Sequence, residues 1–256
     1  MTEPVVEPIR LAGAPGCLCH TGSPERAAVC GTLLLYHGLG VDALSVLPEA
    51  RRLAAAGYLV VAVDNVAHGR RHDPAVQAQL HGADREPAFF RVVHDTVQEV
   101  PAVLDALAGR GWLRWAGLAG VSLGAHIVYG AVCREPRIRA ALALLGNPCW
   151  GKAPDSPHRQ LDAFATVGLL SVVAARDQVV PPHGARTFHA RLAARYPDAG
   201  SRLLLREYPE SGHTMAPGDW EDAWALALAW LRERSPAPPG GGMIDDTDGN
   251  SGMMVE

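Results

Sequence analysis

An α/β fold built on a mostly parallel central sheet is predicted by three observations on this 256-residue chain. Short runs rich in Leu, Val and Ala recur from residue 32 onward, and most lack polar–apolar alternation, so they read as strands buried on both faces. Longer stretches with apolar residues at helical spacing lie between them, the sequence form of repeated βαβ units. Residues with chemical potential stand just after several of the runs, where a parallel sheet gathers its loops at one edge.

Taken in order, the segment before residue 31 is broken by Pro and Gly and reads as an edge hairpin. Strands are predicted over 32–36, 58–63, 115–121, 140–145, 169–174 and 202–208. With the hairpin, this makes a sheet of about 7–8 strands with helices on both faces and little or no cap. Helices are predicted over 43–56, 89–107, 183–195 and 219–234. Gly57 stops the first, Pro101 kinks or restarts the second, and Asp219 is an N-cap candidate for the last. Residues 1–234 are expected to form one domain. Residues 235–256 open with a run of Pro and Gly, show no periodicity and read as a disordered tail.

Composition narrows the function classes. An apolar share of 48% suits a globular core, and a net charge of −4 gives no basic footprint for nucleic acid. No run of 18 uncharged apolar residues exists to span a bilayer, and the first ten residues lack the basic start and apolar core of a secretory signal. A cytoplasmic protein without membrane or nucleic-acid partners is the expectation. Five cysteines at irregular spacing do not form a disulfide framework. Cys17, Cys19 and His20 lack the two- to four-residue gap of common zinc pairs, so neither a metal nor another cofactor is expected.

Residues 120–124 read Gly-Val-Ser-Leu-Gly, a G-x-S-x-G motif placed where a strand meets a helix. A serine on so sharp a turn needs glycine two positions away on either side, because a Cβ there collides as the turn closes. Ser122 is therefore the candidate nucleophile. Its hydroxyl is a weak nucleophile at neutral pH and needs a histidine to take its proton and a carboxylate to orient that imidazole. Residues that follow strands share one edge of the sheet, and this filter selects Asp177 after the penultimate strand and His213 after the last. Oxyanion donors are expected at the backbone N–H of Leu123 and at Leu39 in His37-Gly38-Leu39-Gly40. Phe89, Phe90, Trp150 and Met215 are candidate pocket residues, with ordinary core roles as the alternative. Asp64, His68 and His37 read as residues that fix loops near the site, and Arg70 and Arg71 as surface cations or partners of an acidic substrate group.

The chain resembles α/β-hydrolases of the serine esterase type, near the dienelactone-hydrolase-like and prolyl-oligopeptidase-like esterases. The likeness runs from about residue 31 to 234. It is carried by His37-Gly38-Leu39-Gly40, Asp64 through His68-Gly69-Arg70-Arg71, the Ser122 elbow, Arg176-Asp177-Gln178-Val179-Val180-Pro181 and Ser211-Gly212-His213. It implies the α/β-hydrolase fold and acyl transfer through the Ser, Asp, His order of that fold. The span after Leu145 is too short for a large lid, leaving 65–90 as the other cover and small soluble esters as the expected substrates. A peptidase, an acyltransferase or thioesterase with the same residues, a silent binding module and a homodimer stay open.

Overall fold

The computed structural model describes residues 3–83, 85–151 and 153–236. Among the described residues eight strands form one sheet: β1 (Val5–Leu11), β2 (Ala14–His20), β3 (Thr32–Tyr36), β4 (Leu59–Val63), β5 (Ala116–Val121), β6 (Ile138–Leu144), β7 (Gly168–Ala174) and β8 (Leu203–Tyr208). Their spatial order is β1-β2-β4-β3-β5-β6-β7-β8. The hairpin β1–β2 pairs antiparallel to β4, while every pairing from β4 to β8 is parallel. This is the α/β-hydrolase fold.

The absence of alternation in the strands has a direct cause: both faces are covered. Leu34 and Tyr36 of β3 and Leu59, Val61 and Val63 of β4 point into one core layer. Leu33, Leu35, Val60 and Ala62 point into the other. The first layer packs against α1 (Pro24–Cys30), α4 (Arg85–Gly109), α5 (Leu123–Arg134) and α6 (His183–Arg195). The second packs against α2 (Leu47–Ala55) and α7 (Pro217–Arg232). Burying about 25 cal/mol per Å² of apolar surface on each face is what drives the two helical layers onto the sheet.

Four local expectations need adjustment. The first helix splits into a 3-10 turn, Ala43–Val46, and α2, because Asp42 caps the turn through Leu44 N at 3.0 Å. The helix at Arg85–Gly109 runs through Pro101 as one element instead of restarting, the missing N–H costing one bond to the Val97 carbonyl. Asp219 is not the N-cap of α7, whose N-cap is Ala216; its carboxylate accepts from Ser211 Oγ at 2.6 Å. Two short helices carry no periodic signal in the sequence, α1 and α3 (Pro74–Leu80), each of seven residues and so too brief to show a period. The tail expected over 235–256 lies outside the described residues, apart from Ser235 and Pro236.

The edge of the sheet that holds the strand C-termini is assembled by close backbone approach. A Cβ on Gly120 would stand 2.2 Å from the Gly124 carbonyl oxygen, and one on Gly124 would stand 2.1 Å from that of Tyr36. Gly124→Ala is therefore expected to separate α5 from β3 and cost about 3 kcal/mol or more. Gly109→Ala, where an added Cβ meets nothing within 4 Å, should be neutral or stabilise by up to about 1 kcal/mol. Denaturant melts of the two variants check the contrast.

Candidate active site

Ser122 is the residue between β5 and α5, and its backbone sits at φ 54° and ψ −110°. A non-glycine residue there is strained by about 1–3 kcal/mol. The turn is held on both sides: Ser122 N donates to Leu144 O at 2.8 Å, and Ser122 O accepts from Ala125 N at 3.0 Å. The strain lifts the hydroxyl out of the turn toward the loop after β8. There His213 Nε2 lies 2.9 Å from Ser122 Oγ.

The other ring nitrogen, His213 Nδ1, lies 2.7 Å from Asp177 Oδ2. A carboxylate only accepts, so Nδ1 carries the proton and Nε2 turns its lone pair to the serine. Asp177 is buried, and its second oxygen accepts from Val179 N at 2.9 Å and Val180 N at 2.8 Å. That is why the carboxylate stands at the head of Asp177-Gln178-Val179-Val180: the loop wraps back to satisfy it. The His213 loop is fastened by Ser211, whose Oγ donates to Asp219 and accepts from Ala216 N at 3.1 Å. Asp219 thus supports the site from the start of α7.

The loop after β3 brings Leu39 to the cleft. A Cβ on Gly38 would lie 3.9 Å from the Ser122 Cβ, so the loop passes directly beside the serine. His37 Nδ1 donates to Gly38 O at 2.7 Å, and His37 Nε2 accepts from Asn65 N at 3.0 Å. The Gly38 carbonyl and the Leu39 N–H belong to one trans peptide, so fixing the first turns the second away from the His37 ring. Asn65 Nδ2 donates to His37 O at 3.0 Å and braces the same loop. Among the described residues neither Leu39 N–H nor Leu123 N–H has an acceptor, leaving both available to an oxyanion.

The remaining singled-out residues take structural places. Asp64 accepts from Ala43 N at 2.9 Å and Arg70 N at 3.0 Å, joining the loops after β3 and β4. Arg71 donates to the Asp64 and Asn65 carbonyls and to Glu99, and Arg70 Nη1 donates to Gly16 O. His68 is buried with Nδ1 donating to Val66 O at 2.8 Å. No group of His, Cys, Asp or Glu among the described residues is arranged to hold a metal.

A cleft of about 900 Å³ opens over Ser122 and His213. Phe89 and Phe90 form part of its wall, and Ala83, Arg85 and Glu86 line it too, all five within the 65–90 region. Trp150 and Met215 do not line it. Trp150 is buried behind Phe90, its Nε1 donating to Asn147 O, and Met215 is buried with the α7 core on the other face of the sheet. Two wall residues were missed, His126 and Asn147. Asn147 stands just after β6, so the strand-end filter that found Asp177 and His213 also points to it; His126, one turn along α5 from Ser122, has no such signal.

The family model described as serine aminopeptidase, S33, matches residues 27–167, more than half of the chain. The chain belongs to this family. It is a hydrolase of the α/β-hydrolase fold and of the serine esterase type. An Escherichia coli K12 protein provisionally named carboxymethylenebutenolidase is 24% identical over 200 residues, covering 72% of this chain and 69% of its own. Esterase YjfP of the same organism is 28% identical over 117 residues, 45% of each chain. The crystal structure of TT1662 from Thermus thermophilus superposes with a TM-score of 0.76 at 25% identity, over 90% of this chain and 99% of that one.

Two outcomes follow from the geometry. Ser122→Gly removes the Cβ that strains the turn and should raise the melting temperature by about 2–4 °C, although it deletes the bond to His213; a lower melting temperature would contradict stored strain. Burial pushes His37, His126 and His189 each down to about 4. A histidine held below its unfolded value binds its proton less readily when folded, so its stabilising share is full above pH ~6.5 and is lost as pH falls toward 4. Melting temperatures should fall steadily across that window, by on the order of 2–3 kcal/mol per histidine in unfolding free energy; a flat profile would count against it.

Proposed function

We propose that this protein hydrolyses small carboxylic esters through an acyl-enzyme on Ser122, with His213 as general base and acid and Asp177 as its orienting partner. The hydrogen-bonded series Ser122–His213–Asp177, 2.9 and 2.7 Å long and opening onto the cleft, carries this reading. Ser122 Oγ attacks the ester carbonyl carbon as its proton passes to His213 Nε2. The oxyanion is met by the N–H groups of Leu39 and Leu123, each worth roughly 3 kcal/mol in comparable sites. Collapse of the tetrahedral intermediate breaks the carbon–oxygen bond, and His213 returns the proton to the leaving alcohol. A water then repeats the sequence on the acyl-enzyme, releasing the acid and free Ser122.

The size of the acyl group follows from the cover. Among the described residues only two 3-10 turns, Pro157–Arg159 and Leu161–Phe164, occupy the span from β6 to β7, too little for a large lid. Among the described residues no helix is long and apolar enough to cross a membrane. The family's description supports peptide bonds as a second substrate class, since acyl-enzyme chemistry does not itself select the leaving group. We take the working partner to be a small soluble ester met in the cytoplasm.

Fluorophosphonate labelling of the native protein, absent in Ser122→Ala, is the direct test. On short-chain esters kcat/KM should drop at least about a thousandfold in Ser122→Ala and by on the order of 10³–10⁴ in Asp177→Asn. No labelling of the native protein would leave a silent binding module; preference for long emulsified chains or for amides would overturn the substrate class.

A further inference from the structure

Two cleft residues outside the Ser122–His213–Asp177 series are fixed in complementary hydrogen-bonding senses, His126 by the Ser122 carbonyl and Asn147 by the Cys149 N–H. His126 lies one turn along α5, and its Nδ1 is 2.9 Å from Ser122 O. A carbonyl only accepts, so Nδ1 holds the proton and Nε2 presents a lone pair. Nε2 has no partner among the described residues, and the ring lines the cleft. Burial keeps the imidazole neutral by pushing it down to about 4, so that lone pair persists at any working pH near 7. Phe89 meets the ring edge-on at 5.0 Å and holds its plane.

Asn147 is fixed in the opposite sense. It leaves the end of β6, three residues after the Leu144 carbonyl that receives Ser122 N. Its Oδ1 accepts from Cys149 N at 2.9 Å, which settles which end of the amide is oxygen. The same oxygen packs against α6 so closely that a Cβ on Gly184 would stand 2.1 Å away. The locked Oδ1 leaves the Nδ2 donor, without a partner among the described residues, for the cleft that Asn147 lines.

We propose that His126 Nε2 and Asn147 Nδ2 recognise a hydroxyl on the acyl group, making short hydroxyacyl esters the preferred substrates. The proposal rests on the ester-hydrolase reading above and deepens it. A hydroxyl is the smallest group that satisfies both residues at once, giving its hydrogen to His126 and accepting from Asn147. A plain alkyl chain satisfies neither and leaves two desolvated polar groups unpaired, the condition under which a site discriminates most strongly. A carboxylate offers Asn147 an acceptor but sets a second acceptor against the His126 lone pair.

The test compares ethyl butyrate with ethyl 2-hydroxybutyrate and both enantiomers of ethyl 3-hydroxybutyrate, using pH-stat titration on the full chain. For at least one hydroxy ester, native kcat/KM should exceed that for butyrate by about tenfold or more. His126→Phe keeps the aromatic packing and removes the acceptor. Asn147→Asp keeps the Oδ1 bond to Cys149 N and replaces the donor with an acceptor. Each should bring the hydroxy-to-plain ratio to near one; as a ratio within one protein, it is insensitive to partial misfolding. Hydrolysis of butyrate with a native ratio near one, or a ratio that survives both substitutions, overturns the proposal while leaving the esterase reading intact. No turnover of any ester together with no fluorophosphonate labelling overturns both.

Discussion

The approach of α5 to β3 at Gly124, and of the turn to itself at Gly120, is the constraint on which the rest of the site depends. With carbonyl oxygens 2.1 and 2.2 Å from where side chains would begin, the chain can pass from strand to helix with no room to spare, and Ser122 takes up the difference in its left-handed backbone. That posture frees the Leu123 N–H and directs the hydroxyl toward His213. It also places Ser122 O where the His126 ring binds it. One steric fact therefore positions the candidate nucleophile, one candidate oxyanion donor and one wall of the cleft.

The loops around the elbow are rigid because each is tied by buried polar groups to another loop and not only to its own strand. Asp64 links the turns after β3 and β4, Asn65 grips His37, and the Asp177 carboxylate takes two N–H groups from the residues that follow it. Such bonds are worth only about 1 kcal/mol net apiece, but an unmet buried partner costs more, so the arrangement tolerates little drift. Away from this edge, Ser171 joins Tyr129 at 2.7 Å and His189 at 2.8 Å, pinning α5 and α6 to β7 inside the core. Precision at the site is thus inherited from a sheet whose helices cannot slide.

The fold was legible in the chain because its signals are local and repeated. A strand buried on both faces must be apolar at every position, and 32–36 and 169–174 show this plainly. The serine, aspartate and histidine were legible for a topological reason: in a parallel sheet, following a strand is the same as standing at the common edge. Helix details were less legible, since Pro101 costs one bond that packing of α4 over its buried Val and Leu residues outweighs. Trp150 and Met215 were misplaced because an aromatic or a thioether reads alike whether it faces a cleft or a core.

By itself the sequence determined which strands exist, that they run mostly parallel, and which three side chains meet at their ends, because each of these follows from burial pattern and order along the chain. Only the tertiary structure decided which face of a residue is used. Which ring nitrogen of His126 holds the proton, and which end of the Asn147 amide is oxygen, depends on bonds to Ser122 O and Cys149 N. Hydrogen-bond direction is a property of the partner across space, and no spacing in the chain encodes it.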